Sequence, residues 1–191
     1  MTDPELLELY ERRFSTDPDP WGFETSPYEQ AKRAATVEAC EPRTRRRRTL
    51  ELGAANGVLA EDLAAFSDEI FAIEAVEAAA TLARDRLAGL PGAHVVHGLI
   101  PGDVPAGPYD LVVASEILYY LDQPSYTQTL AALPSWLGEG GRLVAVHWRP
   151  AGPERPRTAQ DVHDDLRSLA ALVPVAAHAT DDYLLDILER P

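Results

Sequence analysis

Three groups of residues in this chain have types and spacings that could do chemistry. The first is Glu51, Gly53 and Gly57 in Thr49-Leu-Glu-Leu-Gly-Ala-Ala-Asn-Gly57, which stands between a short apolar strand and a helical repeat of Val58, Leu59, Leu63 and Phe66. Strand, glycine turn and helix give the geometry in which a backbone comes close to a ligand at a helix N-terminus. At Gly53 and Gly57 a Cβ would block the turn or that approach. Ala54 lies in the turn, and Glu51 precedes it, pointing back toward the ligand. The second group follows two apolar strands: Ser115, Glu116, Tyr119 and Tyr120 after Tyr109-Asp-Leu-Val-Val-Ala114, and His147 and Trp148 after Leu143 to Val146. The third is Tyr28 and Lys32, four apart and so on one face of a helix.

The glycine turn fits neither common phosphate-binding pattern. A dinucleotide site requires G-x-G-x-x-G. Counted from Gly53, its second and third glycines fall on Ala55 and Val58. The phosphate loop G-x-x-x-x-G-K-[ST] also fails, because no Gly-Lys pair follows. What remains, E-x-G-x-x-x-G, resembles the first motif of class I S-adenosylmethionine (SAM) methyltransferases, whose ligand carries no pyrophosphate. Glu74 ends a second strand, Glu69 to Glu74, about 20 residues past the turn, where an acid can accept both ribose hydroxyls of a bound nucleoside. The competing reading makes it a surface acid opening the next helix. Lys32 is the single lysine beside sixteen arginines. It is either a solvated charge or a compact ammonium that meets an anion such as a ligand carboxylate.

Bulk properties narrow the class. At 191 residues and 46% hydrophobic, the chain fits one domain with a sizeable core. A net charge of −14 argues against a general nucleic-acid binder, which must neutralise phosphates. A lone Cys40 excludes an internal disulfide. No apolar run reaches the roughly 18 residues of a membrane span, and the acidic N-terminus lacks the layout of a signal peptide. The expected location is the cytoplasm. Oligomeric state is not legible.

The elements that must position these residues alternate strand and helix. A short helix over 3–14, capped by Asp3 or Thr2, precedes the aromatic–proline segment Asp17-Pro-Asp-Pro-Trp-Gly-Phe23. Ser26, Pro27 and Glu29 suggest a capping box for a helix running to about Ala39. Glu41 to Arg48, with five arginines, reads as a solvated connector. Further helices are expected over 58–66, 77–88, 125–137 (kinked or broken at Pro134) and 158–173, the last capped by Thr158 with Asp161 at N3. Strands follow at 93–97, 109–114, 142–148, 175–179 and 183–189, with Gly138 to Gly141 as a turn. The pattern predicts an α/β fold with ligands outside the carboxyl ends of a mostly parallel sheet, closed at one edge by an antiparallel hairpin. A seven-stranded sheet of this kind is shared by class I methyltransferases.

Four stretches narrow the resemblance. Asp17-Pro-Asp-Pro-Trp-Gly-Phe-Glu-Thr-Ser-Pro-Tyr-Glu-Gln30, Gly53-Ala-Ala-Asn-Gly57, Ser115-Glu-Ile-Leu-Tyr-Tyr-Leu121 and Gly140-Gly-Arg-Leu-Val-Ala-Val146 together resemble the nodulation protein S (NodS)-like family of SAM-dependent methyltransferases. The likeness runs from about Tyr10 to the C-terminus, over a Rossmann-like core at 45–191 and an N-terminal helical cap or lid at 1–40. It implies SAM as cofactor and methyl transfer to the free amine of a deacetylated chitooligosaccharide or another small amine. Trp21, Tyr28 and Lys32 would close over the methionine end of SAM. One departure is Leu99, which stands where such enzymes place an acid for the adenine amino group. Backbone groups of Leu99 and Ile100 are left to hold that edge.

Methyl transfer asks the protein to align nucleophile, methyl and sulfur and to keep an amine unprotonated. Glu116 and His147 are the candidate proton acceptors, and an unperturbed imidazole titrates near pH 6.5. Tyr119, Tyr120 and Trp148 would wall the acceptor, with His163 on a helix start as a further contact. No metal is expected, since His94 and His97 on one strand face opposite ways. The resulting expectation is a small-molecule N-methyltransferase. O-methylation of a hydroxylated metabolite, or a SAM-binding accessory protein without catalysis, are the alternatives. SAM or S-adenosylhomocysteine at about 100 times its dissociation constant should stabilise the fold by about 2.7 kcal/mol. In thermal melts NAD and ATP should give no shift; an equal NAD shift would contradict the motif assignment.

Overall fold

The computed structural model describes residues 4–191. In chain order its elements are α1 (Pro4–Thr16), α2 (Pro27–Ala39), β1 (Arg46–Leu52), α3 (Val58–Ala64), β2 (Ser67–Glu74), α4 (Glu77–Leu87), β3 (Ala93–His97), β4 (Tyr109–Ser115), a 3₁₀ turn (Leu118–Tyr120), α5 (Gln123–Trp136), β5 (Leu137–Trp148), α6 (Ala159–Arg167), β6 (Val173–Ala179) and β7 (Tyr183–Glu189). The expected cap of α1, Asp3 or Thr2, lies outside the described residues.

The seven strands form one sheet in the order β3-β2-β1-β4-β5-β7-β6. β1 to β5 run parallel, and β7 lies antiparallel between β5 and the edge strand β6. This is the Rossmann-like class I methyltransferase architecture with its C-terminal hairpin. The strand order reverses between β1 and β4, the switch point at which such sheets open a ligand crevice. Register aligns the strand ends there: Leu52 pairs with Ala114, and Ser115 with Val146. The turn after β1, the loop after β4 and the end of β5 therefore meet at one edge.

Period-two alternation buries both faces of the sheet. Leu50, Leu52, Val112, Leu143 and Ala145 pack on Leu133 of α5 and Val162 and Leu166 of α6. Leu111, Val113, Val144 and Val146 pack with Leu63 of α3 and Cys40 on the other side. A third cluster sets Tyr10 and Phe14 of α1 against Val76 and Ala79, which docks α1 beside the crevice. No described helix is long and apolar enough to cross a membrane.

Several boundaries differ from those the sequence suggests. The arginine run is not all solvated connector: β1 begins at Arg46, which is buried, donates to the Cys40 carbonyl at 3.0 Å and pairs with Glu41 at 3.3 Å. Its aliphatic stem is what allows burial while the guanidinium finds acceptors. α5 starts at Gln123, because Asp122 accepts from the Ser125 amide, and it runs through Pro134 without a break. Gly138 to Gly141 is the irregular start of β5, beside a register shift between Tyr109 and Leu111. α6 has the full Thr158–Asp161 capping box but ends at Arg167, after which Leu172 folds into the core and β6 starts at Val173. At α2, Ser26 accepts from the Glu29 amide, yet the Glu29 carboxylate turns to Lys32 instead of closing a box.

Gly57 has φ +81°, and a Cβ there would lie 2.9 Å from Ala83 Cα on α4. The left-handed backbone alone costs an L-residue about 1–2 kcal/mol. Gly57→Ala should destabilise by roughly 2 kcal/mol or more, lowering the melting temperature by about 4–8 °C. An unchanged melt would show that the α3–α4 contact is loose.

Candidate functional site

The turn after β1 is held from two sides. Gly53 has φ +75°, and a Cβ on it would lie 2.7 Å from Ile117 Cγ1. Glycine there permits the turn and the close approach of the loop after β4. At Gly57 the missing Cβ makes room for α4 and permits the left-handed turn. Glu74, at the end of β2, clamps the turn: Oε2 accepts from the Ala55 amide at 2.8 Å and Oε1 from the Val76 amide at 2.9 Å. Ala55 is thereby kept at φ +48°. Burial raises the Glu74 pKa, partly opposed by these backbone donors. Glu51 on β1 is buried, with Oε2 unpartnered. Burial first, then the charges of Glu74 and Asp62, hold its pKa well above the ordinary carboxylate range.

The loop after β4 centres on Glu116, a non-glycine residue at φ +57°. Such a conformation costs energy and persists where its surroundings fix it. Its amide donates to the Val146 carbonyl at 2.8 Å. Oε1 accepts from Lys32 Nζ at 2.8 Å; Oε2 accepts from the Trp148 amide at 3.0 Å and from the Tyr119 hydroxyl through a short bond. Lys32 is buried, bonds Glu29 Oε2 at 3.0 Å and lies 5.2 Å from the centre of the Tyr28 ring. Burial would lower the Lys32 pKa, but Glu116 and Glu29 outweigh it and the pKa is raised. Lys32 thus neutralises two carboxylates and is not a solvated charge.

Two adjoining cavities open at this edge. The larger, about 410 Å³, has Gly53, Ala55, Glu74 and Val76 on its floor and Tyr119, Tyr120 and Trp148 on one wall. Tyr10, Phe14, Trp21 and Phe23 close it, with Trp21 ring centres 5.4–5.8 Å from those of Tyr10, Phe14 and Phe23. The smaller, about 100 Å³, is lined by Glu51, Ala54, Asn56 and Ser115. Phe23, Glu29, Lys32, Gly53 and Glu116 border both. Tyr28 faces the larger cavity with a buried hydroxyl that has no partner, and burial pushes its pKa up to about 12.

Four expected site residues lie elsewhere. His147 is fully buried, with Nε2 accepting from the Leu118 amide at 3.2 Å and Nδ1 at 3.1 Å from His163 Nε2. It cannot reach an acceptor in the cavity, because β5 pairs with β7 through His147 and Trp148, which turns its ring into the core while Trp148 faces out. His163 is equally buried, with Nδ1 2.9 Å from Asp186 Oδ2. The strong apolar face of α6, not its N-terminal position, decides where this ring goes. Leu99 and Ile100 line neither cavity: the Leu99 amide is taken by Asp103 Oδ2 at 2.8 Å, and Ile100 is core. His94 stacks on Phe71 and His97 meets Glu77 at 2.7 Å. Among the described residues no group of His, Cys, Asp or Glu is arranged to hold a metal ion.

No motif in the sequence marks Arg155 or Asp182, which also line the larger cavity. Arg155 stands over the rings of Tyr119 and Trp148, 4.8 Å from each. The loop carrying it is anchored to α1 by Glu154, which bonds Tyr10 at 2.8 Å and Arg13 at 2.6 Å. Glu29 was legible only as a capping residue.

The sequence profile described as Nodulation protein S (NodS) matches residues 2–145. The chain belongs to the NodS family. Nodulation protein S of Bradyrhizobium diazoefficiens is 30% identical over 125 residues, covering 63% of this chain and 57% of that protein. A protein-L-isoaspartate O-methyltransferase of Methanoculleus marisnigri is 35% identical over 118 residues, 60% of this chain and 47% of that protein. The chain thus spans between 47% and 62% of the curated relatives it matches. Among solved structures, N-methyltransferase NodS from Bradyrhizobium japonicum WM9 in complex with S-adenosylhomocysteine is similar with a TM-score of 0.88 at 24% identity, over 97% of this chain and 98% of that one. A putative methyltransferase from Pseudomonas syringae is 39% identical, with a TM-score of 0.74 over 85% of this chain and 99% of that one.

Leaving a buried hydroxyl unpaired costs about 1–3 kcal/mol. If the Tyr28 hydroxyl is kept for a ligand, Tyr28→Phe should leave the ligand-free melting temperature equal or higher. It should weaken SAM binding about five- to tenfold, the net contribution of one hydrogen bond. Calorimetry and melts on the same samples decide this; lost stability with unchanged affinity would make Tyr28 structural.

Proposed function

We propose that this NodS-family chain is a SAM-dependent N-methyltransferase acting on a small amine, such as an amino sugar. The observation that carries the reading is the junction of two cavities at Gly53, Lys32 and Glu116: Glu51 lines the smaller, Glu74 and the aromatic residues line the larger, and the Glu116 carboxylate borders both. The residues present fit the cofactor. The orphaned Glu51 Oε2 suits an ammonium, and the Gly53 turn admits close backbone approach. Glu74 retains acceptor capacity for ribose hydroxyls beyond its two backbone donors, since each carboxylate oxygen has two lone-pair sites. The Tyr28 hydroxyl is available to the methionine carboxylate. When bound, SAM supplies a methyl group already activated by a sulfonium.

The chain's own part is to exclude water, orient the acceptor and take up its proton. Helices α1 and α2 and the Trp21 segment serve as the cap, with Tyr10, Trp21, Tyr119, Tyr120 and Trp148 as walls. Glu116 is the group positioned to accept or orient the amine proton, with Tyr119 and Lys32 fixing its two oxygens. Charge favours an amine over an acceptor bearing a carboxylate. Glu29, Glu74, Glu116 and Asp182 line the larger cavity against Lys32 and Arg155, and Lys32 is already committed. The reading places the protein in the cytoplasm, with no nucleic-acid or membrane partner.

Turnover of SAM to S-adenosylhomocysteine is measured with the tetramer of glucosamine, its fully N-acetylated form and a catechol. Transfer to the free amine alone is expected; transfer to the catechol alone would move the reading to oxygen. Glu116→Gln should keep SAM affinity within about threefold and lose about a hundredfold in turnover, the low end of general-base effects. Full turnover in this variant, with an unchanged melt, would remove Glu116 from the chemistry.

A further inference from the structure

Behind the loop that carries Glu116, three buried side chains form a line that ends on that loop. The Leu118 amide donates to His147 Nε2, His147 Nδ1 lies 3.1 Å from His163 Nε2, and His163 Nδ1 lies 2.9 Å from Asp186 Oδ2. Arg167 holds the far carboxylate at 2.8 Å. An amide can only donate, so His147 Nε2 accepts and its proton sits on Nδ1. That proton points to His163 Nε2, which accepts, leaving the His163 proton on Nδ1 toward the carboxylate. One set of tautomers satisfies the links from Leu118 to His147 and from His147 to His163, while His163 Nδ1 stands at ion-pair distance from Asp186 Oδ2 without hydrogen-bond alignment. Burial, then the neighbouring His163, Lys32 and Arg155, hold the His147 pKa well below the ordinary imidazole range, so its ring stays neutral as this arrangement requires.

A line ending on a backbone amide delivers no proton to the cavity. It delivers position. The His147 ring also packs edge-on against Tyr119, with ring centres 4.9 Å apart. Leu118 opens the 3₁₀ turn that carries Tyr119 and Tyr120, two residues beyond the left-handed Glu116. The three side chains come from β5, α6 and β7, so elements remote in the chain converge on this one amide. We propose that His147, His163 and Asp186 are positioning residues that fix the Leu118–Tyr120 turn and thereby aim Glu116 and Tyr119 at the acceptor. The kinetic consequence rests on the N-methyltransferase reading; the structural one does not.

His163→Leu and His163→Gln test it. Leucine offers no polar atom, whereas a glutamine amide can accept from His147 and donate to Asp186. Misplacement by about an ångström costs on the order of a hundredfold in rate. With the glucosamine tetramer as probe, His163→Leu should lose about ten- to a hundredfold in kcat while S-adenosylhomocysteine affinity changes less than about threefold. His163→Gln should recover most of the rate. Hydrogen exchange at the Leu118 amide should be slow in the native chain, accelerate about tenfold or more in His163→Leu and return in His163→Gln. Native kcat in His163→Leu, or cofactor affinity falling in step with kcat, would overturn the proposal. If His163→Leu does not fold, nitrogen NMR of the native chain decides: His147 must carry its proton on Nδ1, and a proton on Nε2 overturns the assignment. A native chain that transfers no methyl to any amine defeats the N-methyltransferase reading, while Leu118 exchange and the His147 tautomer still decide the turn-fixing role.

Discussion

Lys32 Nζ bridging Glu116 and Glu29 is the contact around which the site is arranged. The ammonium is drawn out of water, a costly transfer that only close, hydrogen-bonded partners offset. Lys32 comes from α2 and Glu116 from the loop after β4, so this contact seats the N-terminal helices over the sheet edge. It also fixes one oxygen of Glu116 while the Trp148 amide and the Tyr119 hydroxyl fix the other. A carboxylate held this way has few rotamers left. Breaking the bridge from either side would strand a buried charge, so cap and loop depend on each other.

The sheet makes that contact reachable. Because β1 and β4 are neighbours across the switch point, the Gly53 turn and the Ile117 loop lie against each other, close enough that Gly53 can carry no Cβ. Glu74 braces the turn from β2, and the His147–His163–Asp186 line braces the loop from β5, α6 and β7. Two left-handed non-glycine residues, Ala55 and Glu116, line the larger cavity, the first held by Glu74 and the second by the hydrogen bond of its amide to the Val146 carbonyl. The strain is local and the support comes from the sheet, a division common at sites where geometry must not drift.

Much of this was legible in the sequence because it depends on local period and turn chemistry. The alternation of apolar strands and helices, the Gly53 turn, Glu74 at the end of β2 and the Thr158 cap all read directly. What failed depends on neighbours distant in the chain. His147 follows an apolar strand and looks like a crevice residue, but pairing with β7 decides which of His147 and Trp148 faces the core. Glu29 is near Lys32 in the chain, but its second partner, Glu116, is 84 residues away and only the fold brings it close. Arg46 looks solvated until Glu41 and the Cys40 carbonyl fold onto it. Arg155 and Asp182 sit in a loop and a hairpin link with no motif to mark them, and only the fold brings them to the cavity.

The central claim is that the cofactor and acceptor occupy the two sides of one junction at Gly53 and Glu116. A crystal structure of the complex with S-adenosylhomocysteine tests it most directly. The account predicts the ribose hydroxyls on Glu74 at the floor of the larger cavity, the ammonium beside Glu51 and the sulfur facing Glu116, with the side walled by Tyr119, Tyr120 and Trp148 left open for the acceptor. Density for the ligand against Tyr119, Tyr120 and Trp148 alone, with Glu51 and Glu74 untouched, would contradict it.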